Sequence, residues 1–111
     1  MREKKYLSDI QYYTNEIYIH LKNIETFDEY QKNITVKRAV ERCLEVIGEA
    51  MNHLLSVNSL IEITGKRQII ALRNRIIHGY DKVSDTAIWA IIHDNLPVLK
   101  NEVEKLLEGY K

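Results

Sequence analysis

The apolar residues of this chain recur at steps of three and four, the period of a helix that packs by one face. Tyr6, Ile10, Tyr13, Ile17, Leu21 and Ile24 form one stripe, which predicts a first helix over about residues 5 to 25. Val36, Val40, Cys43, Ile47, Ala50, Leu54 and Val57 form a second, longer stripe, and Leu44, Val46, Met51 and Leu55 widen it, so this helix has neighbours on two sides. Glu25 to Asn33 is polar and mixed and reads as a connector. A weaker patch, Ser56 to Thr64, has room for one short helical turn before Gly65.

A third helix is predicted from Lys66 to about Ile77, with Gly79 placed to end it in a left-handed conformation. Ser84, followed by Asp85 in the first turn, is a good N-cap for the next helix. That helix carries Ile88, Trp89, Ile92, Leu96, Leu99, Val103, Leu106 and Leu107, and Pro97 inside it either kinks it or restarts it. The expected fold is all-α: an antiparallel four- to five-helix bundle forming one domain over residues 1–111.

Composition narrows the function classes. A single cysteine, Cys43, excludes an internal disulfide framework and fits a reducing compartment. No apolar run approaches the roughly 20 residues of a membrane span, and the first residues lack a signal peptide's apolar stretch, so a cytoplasmic protein with no membrane partner is expected. Sixteen basic and sixteen acidic side chains cancel, which excludes a globally basic nucleic-acid binder but leaves room for a local one. No glycine-rich phosphate loop is present. His20, His53 and His93 have no metal-ligand spacing among themselves or with Cys43, so neither a metal nor another cofactor is expected.

One stretch breaks the charge balance. Between Glu62 and Asp81 no acidic residue occurs, yet Lys66, Arg67, Arg73, Arg75 and His78 all lie there. A cation cluster on one helix suits phosphate, although a solvated face complementing the helix dipole needs no ligand. Arg73 precedes His78 by five residues, about 140° of rotation on an ideal helix. The two side chains converge only if the helix ends between them or if a second copy supplies one of them. Together they hold the groups that RNA cleavage requires: an imidazole to take the proton of a 2′-hydroxyl, and a guanidinium for the charge growing on phosphorus.

The string Leu72 to Tyr80 resembles the signature of the HEPN superfamily, in particular its HepT-like toxins, in which Arg, four residues, His, one residue and Tyr follow the third helix of a small bundle. Here those positions are Arg73, His78 and Tyr80, with Asn74 at the polar position after the arginine. Val46-Ile47-Gly48-Glu49-Ala50, Trp89 and the Asn95-Leu96-Pro97 step extend the likeness to roughly residues 5 to 108. The resemblance implies a homodimer with a composite, metal-independent endoribonuclease site. It also implies a type VII-like toxin–antitoxin pair with a cognate minimal nucleotidyltransferase antitoxin that adenylates the motif tyrosine. RNA is then the substrate, with no DNA specificity. Arg73 would polarise the scissile phosphate, His78 would act in acid–base catalysis, and Asn74 would orient the phosphate or the histidine. Tyr80 would accept the adenylate. Lys82 and Ser84 stand where some members have acidic residues, which bears on antitoxin or substrate contact.

Each residue also has a plainer reading. His78 could cap its own helix, Arg73 could pair with an acid on another helix, and Tyr80 could bury its ring. Glu49, beside the apolar stripe, needs a partner, either Arg73 or a residue across a dimer seam. Arg75 lies outside the triad and reads as a surface contact. The competing function is a non-catalytic HEPN module that docks a partner nucleotidyltransferase.

Overall fold

A computed structural model describes residues 2–79 and 83–110. Those residues form six helices: α1 (Arg2–His20), α2 (Phe27–Lys32), α3 (Ile34–Val57), α4 (Lys66–His78), α5 (Asp85–Asp94) and α6 (Leu96–Glu108), with no strand among them. The chain is therefore all-α, as expected, with more helices than the four or five predicted. The additional one is α2, in the stretch read as a connector. Thr26 and Glu29 form a reciprocal capping box there: the Thr26 hydroxyl accepts from the Glu29 N–H at 3.2 Å, and the Glu29 carboxylate accepts from the Thr26 N–H at 3.1 Å. The segment between α3 and α4 is not helical. Lys66 ties it down by donating to the carbonyls of Ser59 and Ile61 at 3.2 and 2.7 Å.

Helix α3 is the centre, with α1 on one side and α4 on the other. The start of α1 lies beside the end of α3, where Tyr6 stacks on His53 with ring centroids 5.4 Å apart and Asn58 donates to Glu3 at 2.9 Å. These two helices are thus antiparallel. The core is built from Leu7, Ile10, Ile17, Val40, Ile47, Met51 and Leu54, joined by Ile88 and Val103 from the last two helices. The buried stripe of α1 is centred on Leu7, Ile10, Thr14 and Ile17, so Tyr6 and Tyr13 fall at its edge. Thr14 escaped the hydrophobic count because it is polar; its hydroxyl is buried with no hydrogen-bond partner among the described residues.

The last two helices follow the punctuation in the sequence. Ser84 Oγ accepts from the Ala87 N–H at 3.1 Å and starts α5. Pro97 lies in the first turn of α6, where its missing N–H costs nothing, so the expected kink is a restart. No helix among the described residues is long and apolar enough to cross a membrane.

Candidate functional site

Helix α4 carries the cationic motif, and its seating is unusual. It packs closely against α3 and against no other described helix. Only Leu72 of its side chains is buried, while Ile69, Ile70 and Ile76 are half-buried and Ile77 is exposed. The segment leading into it is fixed from outside: Glu102 on α6 accepts from the Thr64 N–H at 2.9 Å and from the Thr64 hydroxyl at 2.7 Å. Gly65, with φ at 71°, makes the left-handed turn that leads into it.

At Gly48, α4 lies directly against α3. A Cβ at that position would lie 2.3 Å from Arg73 Cβ, 2.9 Å from Arg73 Cγ and 3.1 Å from the Ile69 carbonyl oxygen. The absence of a side chain therefore lets the Arg73 stem lie directly on the α3 backbone. Its guanidinium is then held by its neighbour, for Nη1 donates to Asn74 Oδ1 at 3.0 Å. Nε is buried with no hydrogen-bond partner among the described residues. A guanidinium has five N–H donors, so most of this group's capacity is left for an incoming acceptor. Arg73 and Asn74 are thus brought together.

His78 is the last residue of α4 and is exposed. The helix is unbroken through it and ends at Gly79, whose φ of 73° fits the predicted glycine stop. One of the two routes to convergence, an end to the helix between Arg73 and His78, is thereby removed. Glu49 is not beside the core as expected: its side chain is half exposed, and its carboxylate lies 4.0 Å from His53 Nε2 and is not paired with Arg73. The reason is local. Arg73 crosses α3 at Gly48, and Glu49 is rotated away from that contact onto the α1 side, along a cleft with Lys5, Tyr6 and Asp9. Tyr80 and Lys82 lie outside the described residues.

Cys43 is buried, and burial pushes its thiol up to about 11, which makes it a poor nucleophile. Among the described residues no three His, Cys, Asp or Glu side chains gather as metal ligands would. A mixed-charge cleft not anticipated from the sequence lies beside the last turn of α4, where Lys37, Arg38 and Glu41 meet Arg75 and Asp85. Its only sequence signal was Arg75 itself, one helical turn before His78.

Residues 4–106 match the family described as Ribonuclease HepT-like. The chain is 32% identical over 106 residues to a Methanocaldococcus jannaschii protein named "Putative RNase MJ1216", covering 95% of this chain and 87% of that one. It is 30% identical over 102 residues to the same organism's "Putative RNase MJ1380", covering 91% and 93%. It is also 30% identical over 104 residues to the "Probable ribonuclease HepT" of Thermococcus cleftensis, covering 93% and 94%. No solved structure gave a significant match.

Proposed function

This chain belongs to the HepT-like ribonuclease family, and from that premise we propose that it is a metal-independent endoribonuclease, folded as one domain and working as a homodimer. Two relatives named as RNases and one named as a ribonuclease HepT support RNA as the substrate. The observation that carries the dimeric site is the continuity of α4 through His78. On one helix, Arg73 and His78 point about 140° apart, so one phosphate is most simply served by Arg73 of one copy and His78 of the other. The half-covered isoleucines of α4 and the exposed Ile77 offer an apolar seam for such a pairing.

In the reaction, the 2′-oxygen attacks phosphorus while its proton passes to the His78 imidazole. The bond from phosphorus to the 5′-oxygen breaks, and that oxygen leaves with a proton. The products are a 2′,3′-cyclic phosphate and a free 5′-hydroxyl, with no water consumed. Arg73 stabilises the charge that builds on the phosphate oxygens, and Asn74 fixes the guanidinium plane for that purpose. Glu49, on α3 next to the Gly48 contact with Arg73, has a supporting role in the site. Tyr80, two residues past His78, is the adenylate acceptor for a cognate nucleotidyltransferase antitoxin, and the pair acts in the cytoplasm.

The test follows a labelled RNA incubated with purified protein and excess EDTA, wild type beside His78→Ala. The expected result is cleavage by wild type alone, leaving 2′,3′-cyclic phosphate ends. Equal cleavage by both proteins would remove His78 from the chemistry. If neither cuts and wild type carries no added mass on Tyr80, the chain is a non-catalytic docking module.

A further inference from the structure

We propose that the apolar cleft between α4 and the corner where α5 meets α6 receives one base of the RNA strand, a few nucleotides from the cleaved bond. The proposal rests on the ribonuclease reading above and adds a recognition subsite to it. The cleft has a volume of about 330 Å³, within the roughly 300–1,000 Å³ of small-ligand sites. Leu44 and Ile47 of α3 form its floor, Ile69 and Leu72 of α4 one wall, and Ile91 and Leu96 the other. It exists because α4 packs on α3 alone among the described helices, which leaves a gap between α4 and the last two. Thr64, held by Glu102, fixes one end.

The lining selects the chemistry of the occupant. No charged side chain lines the cleft among the described residues, so it suits an uncharged group and not a phosphate. Apart from Thr64, its polar side chains are two carboxamides, Gln68 from one wall and Asn95 from the other. Both residues are exposed, and neither side chain has a hydrogen-bond partner among the described residues. Gln68 Oε1 lies at the edge of the cleft, 3.9 Å from where a Cβ on Gly65 would stand. A carboxamide offers a donor and an acceptor together, as the edge of a base does. Apolar walls suit the faces of the ring. An aliphatic anchor from a partner protein would fill the same space and leave both carboxamides unused.

The placement ties the cleft to the reaction. Helix α4 is continuous from Lys66 to His78, and Arg67, Ala71 and His78 fall within about 40° of one another around it. They share one exposed face, with Arg67 about 16.5 Å from His78 along the axis. Arg67 is the neighbour of Gln68 and has no ion-pair or hydrogen-bond partner among the described residues. It stands in the first turn of α4, where the dipole disfavours a cation and no acid offsets it, so helix stability does not account for it. A strand leaving His78 along this face passes the small side chain of Ala71. It then brings a phosphate to Arg67 and the attached base to the cleft.

The experiment moves an abasic nucleotide through a single-stranded RNA, position by position, and measures binding to the His78→Ala protein. Positions are counted from the bond that wild type cuts. Gln68→Ala combined with Asn95→Ala should weaken binding of intact RNA about thirtyfold, the equivalent of two hydrogen bonds. At one position the abasic penalty should shrink by a similar factor in that variant, because the base and its partners are lost together. A fold defect would weaken intact and abasic RNA alike and leave the penalty unchanged; circular dichroism checks the fold, and Lys105→Gln, exposed on α6, is the control. Arg67→Gln should flatten the slope of log K against log salt by about 0.7, one phosphate contact on a single strand. If no position of the scan responds to the two alanines, in a protein that binds and cuts RNA, this proposal alone is overturned. A chain that neither binds nor cuts RNA overturns it together with the ribonuclease reading.

Discussion

The Cβ of Arg73 lies where a Cβ on Gly48 would have to be: the two would be only 2.3 Å apart. The position of the candidate phosphate-binding arginine thus depends on a missing side chain in another helix. Both contacting atoms, Cβ and Cγ, are at the anchored end of Arg73, so a rotamer change cannot clear the space and α4 itself has to move.

Gly48→Ala is therefore expected to destabilise the protein despite the better helix propensity of alanine. Propensity favours alanine by about 1 kcal/mol, and overpacking costs roughly 1–3 kcal/mol, so a net loss of up to about 2 kcal/mol is expected in urea unfolding. RNA cleavage should fall further than stability, because the displaced residue is Arg73. Asn52→Ala, on an exposed position of the same helix, is the comparison and should be close to neutral. An alanine at 48 with undiminished stability and cleavage would show that α4 is not held by this contact.

Asn74 tests how the guanidinium is oriented. Its amide oxygen accepts from Arg73 Nη1 at 3.0 Å, and it is otherwise exposed. Asn74→Ala should leave the unfolding midpoint almost unchanged. Cleavage should slow about fivefold, the rate equivalent of one hydrogen bond worth about 1 kcal/mol. A parallel fall in stability would instead assign Asn74 a structural role.

Much of this was open to reading in the sequence, and what was hidden has identifiable causes. Long helices announce themselves by periodicity, and the punctuation at Gly79, Ser84 and Pro97 was legible because each acts on its own backbone. Helix α2 is too short for a period, although the Thr26 and Glu29 spacing carried its capping box in plain view. The pairing of Arg73 with Asn74 follows from adjacency. The exposure of Glu49 does not, since it depends on α4 crossing α3 at Gly48 and leaving the next residue outside. The cleft at Arg75 needs Lys37, Arg38 and Asp85 from distant parts of the chain, which no local pattern brings together.

Cys43 makes stability depend on alkaline pH. Burial raises its thiol from 9.0 to about 11, so within that interval the folded chain keeps a proton that the unfolded chain releases. Folded stability is then fully present below about pH 9 and declines as pH rises toward 11. Burial raises the Tyr30 hydroxyl as well, which adds to the decline at the upper end. Urea midpoints measured from pH 8 to 11 should fall, and Cys43→Ala should flatten the first part of that fall. The native thiol should also resist a disulfide reagent that labels it once the chain is unfolded.

The composite site makes the sharpest demand. If each reaction centre takes Arg73 from one copy and His78 from the other, Arg73→Ala and His78→Ala homodimers are both inactive. A mixed dimer differs: one of its two centres receives both defects and the other receives neither. Random reassortment of equal amounts makes half the dimers mixed, each with one intact centre of two, so about one quarter of wild-type cleavage should return under twofold symmetry. The mixture has to be co-refolded or co-expressed so that subunits exchange, and size-exclusion chromatography with light scattering confirms the dimer. Recovery near one quarter places the two residues in different copies. Activity no higher than either parent, in a sample shown to contain mixed dimers, places both residues in one copy and requires Arg73 to reach around α4 to His78.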